Sequence, residues 1–126
     1  MNLGQFKESM YQLIVETSTN LPKDVRRAIK GAKEREIAGT RSAMSLGTIS
    51  ENIHMADEKI SPICQDTGLP TFKIKTPVGV NQIELKQAIY DAMVQATKDG
   101  KMRPNSVDSL TGENSGNNLG AGVPVI

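Results

Sequence analysis

Four consecutive residues, Cys64-Gln65-Asp66-Thr67, set a thiol, an amide, a carboxyl group and a hydroxyl side by side. Pro62 and Pro70 bracket them and Gly68 follows. Successive side chains of a packed helix or strand diverge, whereas a tight turn can gather several at one point. The stretch Ser61–Pro70 therefore reads as a site loop carried by the rest of the chain. Cys64 is the only cysteine. Its thiolate is suited to nucleophilic attack or to a soft metal, and the plainer alternative is a small buried hydrophobe. A nucleophile wants a base, and the only histidine, His54, lies between Ile53 and Met55 in a helical stretch. A metal wants more ligands than one thiol. If Cys64 binds a cluster, further thiolates must come from beyond Ile126 or from another chain. Asp66 is either a turn former or a proton carrier held beside a substrate. Arg103 is either a surface cation or a two-pronged clamp for a carboxylate.

A second stretch, from Asp108 to Gly122, is rich in Gly, Asn and Ser, with glycines at 112, 116, 120 and 122. It reads as a flexible surface loop or as a loop whose amides and Asn side chains line an anion site. No Gly-Lys-Ser/Thr follows, so it is not a Walker-type phosphate loop, and it lacks the spacing of a dinucleotide-binding turn.

The elements that must position these loops are mostly helices. Residues 5–17 place Phe6, Met10, Leu13, Ile14 and Thr17 on one face. Thr19-Asn20-Leu21-Pro22 breaks that helix, and Pro22 suits the first turn of a second running to about Glu36. There Val25, Ala28, Ile29 and Ala32 turn inward, and Lys23, Arg26, Arg27, Lys30 and Lys33 make a basic, solvated face. A third helix over 40–58 carries an apolar band from Ala43 to Ala56, with Gly47 inviting a close helix–helix approach. Thr71-Phe72-Lys73-Ile74-Lys75 alternates apolar and polar, as a half-buried strand does. Asn81 and Glu84 suit a capping arrangement. The helix they open runs to about Lys98, burying Ile83, Ala88, Ile89, Ala92, Met93 and Ala96, with Gly100 ending it. The chain closes on Gly122-Val123-Pro124-Val125-Ile126, an apolar run that looks like the start of a buried strand. The expected class is α+β, with about four helices and a small β-sheet, and residues 1–126 are expected to be a fragment of a longer polypeptide.

Composition narrows the function. The 126 residues suit one domain. A net charge of +1 and 3% aromatics give neither a basic field nor stacking platforms for nucleic acid. No apolar run approaches the roughly 20 residues of a membrane span. With two Phe, two Tyr and no Trp, the core must be aliphatic and Met. A lone cysteine makes no internal disulfide, so a reducing cytoplasm is the expected location.

Pro62-Ile63-Cys64-Gln65-Asp66-Thr67-Gly68 resembles the Cys-Gln-Asp-Thr-Gly motif of iron–sulfur hydro-lyases, the class I fumarases and L-tartrate dehydratases. Arg103-Pro104-Asn105-Ser106-Val107-Asp108, then Thr111-Gly112-Glu113-Asn114-Ser115-Gly116-Asn117-Asn118, resembles two further segments of that family, in the same order, so residues 1–126 are expected to be the N-terminal portion of its alpha subunit or domain. The resemblance implies a [4Fe–4S] cluster held by three cysteines with one iron open to substrate. Cys64 matches the first ligand. Gln65 and Asp66 match residues that contact substrate, Asp66 being the candidate acid/base, and Arg103 matches an arginine that binds a substrate carboxylate. The implied reaction is reversible addition of water across the double bond of a small dicarboxylate: fumarate to malate, as in the tricarboxylic acid cycle, or dehydration of L-tartrate. The implied partners are a beta subunit or C-terminal domain, within an oligomer. The other two cysteines are expected beyond Ile126, so these 126 residues alone are expected to hold no stable cluster and to be inactive.

Overall fold

Asn2, Thr40 and Asn81 each open a helix by the same chemistry. Each side-chain oxygen accepts from backbone N–H groups of the first turn, which have no partner inside the helix. Asn2 takes those of Gly4 and Gln5 at 3.0 and 3.3 Å, Thr40 that of Ala43 at 3.2 Å, and Asn81 those of Ile83 and Glu84 at 3.1 and 3.4 Å. The computed structural model describes residues 2–126, so Met1 of the expected 1–126 unit lies outside the described residues. Its helices are α1 (Leu3–Thr19), α2 (Lys23–Arg35), α3 (Arg41–Lys59) and α4 (Gln82–Lys98). Pro22 sits at the cap position of α2, and Gly100, at φ +69°, ends α4. There Lys101 N–H reaches back to the Ala96 carbonyl and Gly100 N–H to that of Thr97, a Schellman closure.

The core lies between α1 and α4. Ile14 meets Ala92, Met93, Ala96 and Met102, with Met10, Tyr11, Phe72 and Leu119 packed around them. It is aliphatic and Met-rich, as the scarcity of aromatics requires. The inward face of α4 is the expected one at Ala88, Ile89, Ala92, Met93 and Ala96, with Leu85 in place of Ile83, which lies on the far side of the helix and is 82% exposed. On α1, Tyr11 and Val15 take the inward places that Leu13 and Thr17 were expected to hold. Tyr11 also bonds across the pair, donating its hydroxyl to Asp99 at 2.9 Å. Burial and that bond raise the tyrosine's pKa, while Gln95 and Tyr11 hold the Asp99 carboxyl below its usual range.

The α2–α3 pair is different. No residue of α2 is buried, and α3 buries only Ala56. Arg26, expected on the solvated face, turns toward α3 instead. Its guanidinium grips Asp57 with two bonds of 2.6 and 2.7 Å and donates to the Leu21 carbonyl at 2.8 Å. Gly47 makes no close approach, since a Cβ there would meet nothing within 4 Å.

The expected α+β class with a small sheet is not what the chain forms. Among the described residues there is no strand and no sheet, only three isolated bridges. Thr71 pairs with Val125, and Phe72 N–H donates to the Val125 carbonyl at 2.8 Å. The alternation along 71–76 is real, with Phe72, Ile74 and Thr76 half-buried and Thr71, Lys73 and Lys75 exposed. A strand also needs a neighbour along its length, and here the pairing stops at one residue. No helix among the described residues is long and apolar enough to cross a membrane.

Candidate functional site

The loop after α3 is held at both ends before it reaches Cys64. Ile63 N–H donates to the Ser18 carbonyl at 3.0 Å, and Asn52 of α3 donates its amide to the Ile63 carbonyl. The turn itself is closed by Thr67, not by Asp66. The Thr67 hydroxyl accepts from Cys64 N–H at 3.4 Å and lies 3.3 Å from the Cys64 Sγ. Such a contact fixes the direction of the sulfur and places a polar hydrogen beside it.

The segment after α4 then docks on this turn. Arg103 N–H donates to the Thr67 carbonyl at 2.6 Å. Asn105 donates its side-chain amide to the Gln65 carbonyl. Gly68 is buried where these backbones meet, and a Cβ there would strike the Arg103 carbonyl oxygen. Glycine is required at this position by contact rather than by dihedral angle.

The result is a cleft of about 480 Å³ shared by the two segments and α3. Cys64, Gln65 and Arg103 line it, against Ile49 and Ile53 of α3. Three of the four site residues expected from sequence thus come together. Asp66 is exposed on the same turn but is not among the residues lining this cleft. Cys64 is an exposed free thiol, which removes the reading of it as a buried hydrophobe. His54 faces Glu58 on its own helix at 3.2 Å and does not line the cleft. A Cys–His pair is therefore not assembled.

The Gly- and Asn-rich stretch is ordered by its own side chains. Asp108 accepts from Leu110 and Thr111 N–H groups at 2.8 and 2.9 Å, which holds its carboxyl below the usual range. Asn114 accepts from Gly116 N–H and donates to the Pro104 carbonyl, at 2.8 and 2.6 Å. Asn118 is completely buried and bonds to Thr97 and to segment 103–106. The asparagines that suggested an anion site are turn and anchor residues. The sequence sets Thr67 in the site loop and Asn105 and Asn118 in the later motif segments, but assigns none of them these turn-closing and anchoring roles. The one available signal was the density of Asn around Arg103, since Asn both closes turns and tolerates positive φ.

Chemically the cleft offers a thiol for a soft metal, an amide, and a guanidinium whose fork matches a carboxylate. Among the described residues, no group of three or more His, Cys, Asp or Glu side chains converges to hold a metal ion. One thiolate is a single corner of a cluster site.

Comparison with known proteins is informative at this point. The family model described as fumarate hydratase (Fumerase) matches residues 7–126. The "Putative fumarate hydratase class I" of Geobacillus stearothermophilus is 78% identical over 119 residues, covering 94% of this chain and 23% of that protein. The "Putative L(+)-tartrate dehydratase subunit alpha" of Methanocaldococcus jannaschii is 33% identical, covering 97% of this chain and 44% of that subunit. The "L(+)-tartrate dehydratase subunit alpha" of Escherichia coli (strain K12) is 34% identical over 112 residues, covering 85% of this chain and 35% of that subunit. The chain thus spans less than half the length of each of these relatives.

Proposed function

The chain belongs to the fumarate hydratase family, and from that premise we propose that it forms part of an iron–sulfur hydro-lyase that reversibly hydrates fumarate to malate. The single observation that carries this is the shared cleft, which Cys64, Gln65 and Arg103 line together. Cys64 is the residue that would hold a [4Fe–4S] cluster from this chain. Its exposed sulfur fits one ligand position, and the remaining thiolates come from outside these 126 residues. When bound, the cluster supplies a Lewis acid for the substrate oxygen. Arg103 grips one carboxylate of the substrate and stabilises negative charge that develops toward it. Gln65 donates an amide hydrogen to the substrate. Asp66, next along the turn, moves the proton at the carbon adjacent to the one that gains hydroxyl. Ile49 and Ile53 of α3 add apolar surface to the cleft lining. The partner is a beta subunit or a later domain of the same polypeptide, and the setting is the cytoplasm.

The identity to relatives named as tartrate dehydratase alpha subunits makes L-tartrate the second substrate to test. The deciding experiment is an anaerobic assay of the complete protein with its partner and reconstituted cluster, following fumarate loss and L-tartrate dehydration in parallel. Fumarate turnover supports the proposal. Tartrate turnover alone moves it to the sister reaction, and turnover of neither removes it.

A further inference from the structure

We propose that Asn118 is a positioning residue that sets the Arg103 clamp against the Cys64 loop, an inference that rests on the function proposed above. Asn118 is 0% exposed, yet it sits in a loop whose neighbours from Thr111 to Gly116 are exposed. Its φ is +60°, a conformation that asparagine accepts more readily than most residues. Its oxygen accepts from Asn105 N–H at 2.9 Å and from Ser106 N–H at 3.2 Å. Its amide donates to Thr97 Oγ1 at 3.0 Å and to the Arg103 carbonyl at 2.7 Å. Two donors and two lone pairs are the whole capacity of the side chain, and all four are spent away from its own loop.

The partners divide into a fixed end and a held end. Thr97 belongs to α4, whose face is the most buried in the molecule. Arg103, Asn105 and Ser106 form the held end. That segment in turn fastens to the Cys64 turn through Arg103 N–H on the Thr67 carbonyl, Asn105 on the Gln65 carbonyl, and Gly68 against the Arg103 backbone. Asn118 therefore ties the rigid helix to the backbone of both Arg103 and Gln65 without lining their cleft. Truncating the side chain leaves four enclosed partners to be met by a mobile water or not at all, and an unmet buried group is costly. Removing the side chain frees segment 103–106 to shift relative to the thiol, and a displacement of about 1 Å in such a clamp is enough to cost large factors in binding.

The test uses the complete anaerobic holoenzyme, with Asn118→Ala and Asn118→Asp compared with the unaltered protein. Three quantities are read: KM and kcat for fumarate, the inhibition constant of succinate (a dicarboxylate with no double bond to hydrate), and cluster absorbance per chain. Asn118→Ala is expected to raise both KM and the succinate constant about tenfold, with kcat per cluster changed much less, the pattern of lost binding rather than lost chemistry. Asn118→Asp keeps acceptors for Asn105 and Ser106 but sets an oxygen against the Arg103 carbonyl, and is expected to raise both constants at least as far as Asn118→Ala. Unchanged KM and succinate constant per cluster, with only a lowered melting temperature, would show a merely structural residue and overturn the inference. Should Asn118→Ala not fold, Asn105→Ala cuts only the outward link to Gln65. A raised succinate constant there supports the inference and an unchanged one overturns it. If the unaltered enzyme hydrates nothing, the functional proposal itself has failed and this inference falls with it; if it turns over and the variants match it, this inference alone has failed.

Discussion

The α1–α4 pair and the α2–α3 pair are joined by opposite means. Between α1 and α4, Ile14, Ala92, Met93 and Ala96 are all but hidden from solvent, and burying side chains of the larger kind is worth roughly 1.5–3 kcal/mol each. Between α2 and α3 the specific tie is Arg26 on Asp57, an ion pair whose side chains keep 31% and 38% of their exposure. Partly exposed pairs of that kind contribute little to stability. The cleft lies at the seam of the two halves. Arg103 and the Cys64 turn are fastened toward α4, while Ile49, Asn52 and Ile53 on its far wall belong to α3. The difference teaches that the backbone of Arg103 is anchored to the firm half, while the soft half supplies the far wall and, through Asn52, one tie to the Cys64 loop. A wall that opens more easily than the global fold suits a site that must admit cofactor and substrate.

The largest effect should come from the firm half. Met93→Ala empties a fully buried position and is expected to cost about 2–5 kcal/mol in urea unfolding. Met44→Ala on α3, at a residue 68% exposed, should stay within about 0.5 kcal/mol. Equal costs would erase the contrast between the pairs.

At the seam, Gly68→Ala must push apart two backbones, because the new Cβ strikes the Arg103 carbonyl. Amide exchange is the sensitive measurement. The Arg103 N–H should lose protection as its bond to Thr67 breaks, while amides inside α4 keep theirs. Retained protection of Arg103 would mean that the two segments are not locked by this contact.

Smaller again is Arg26→Ala. Amides of α2 and α3 should exchange faster while those of α1 and α4 are unmoved, because the bidentate grip on Asp57 is local. The smallest effect is a pH dependence of the same pair. Arg26 holds the Asp57 carboxyl below its usual range of about 4. A carboxyl depressed in the folded state contributes stability that is present above that ordinary value and lost as pH falls through the folded value. The α2–α3 amides should therefore exchange faster relative to α1–α4 as pH drops below about 4, and Asp57→Asn should remove that part of the acid response. Gln95 and Tyr11 depress Asp99 in the same direction, so α1–α4 also weakens in acid, but apolar burial remains there to oppose it.

The same contrast governs what was legible in the sequence. The helices were readable because apolar spacing and caps such as Asn81 are local signals. Their ends were less so: Ile83, in the first turn of α4, is apolar but lies about 200° from Leu85 and faces solvent. The sheet was misread because alternation reports on exposure, which Phe72 and Ile74 obey, and not on whether a neighbouring strand exists. Cys64 and Arg103 were recognisable by residue type and by their resemblance to known motifs. Thr67, Asn105 and Asn118 stood in the same motif stretches, but the anchoring roles of Asn105 and Asn118 were not legible, since they arise from bonds between segments far apart in the chain. Arg26 was taken for a surface charge for the same reason.

The most direct measurement sets Cys64→Ser beside Arg103→Ala in the complete, reconstituted enzyme, reading cluster absorbance and fumarate KM together. If both residues serve one site in different roles, Cys64→Ser loses the cluster and all turnover. Arg103→Ala keeps the cluster and raises KM by about tenfold or more, the loss expected when a charge-assisted carboxylate contact is removed. A Cys64→Ser protein that still carries its cluster and hydrates fumarate, or an Arg103→Ala protein with unchanged KM, would contradict the placement of the hydro-lyase site in this cleft.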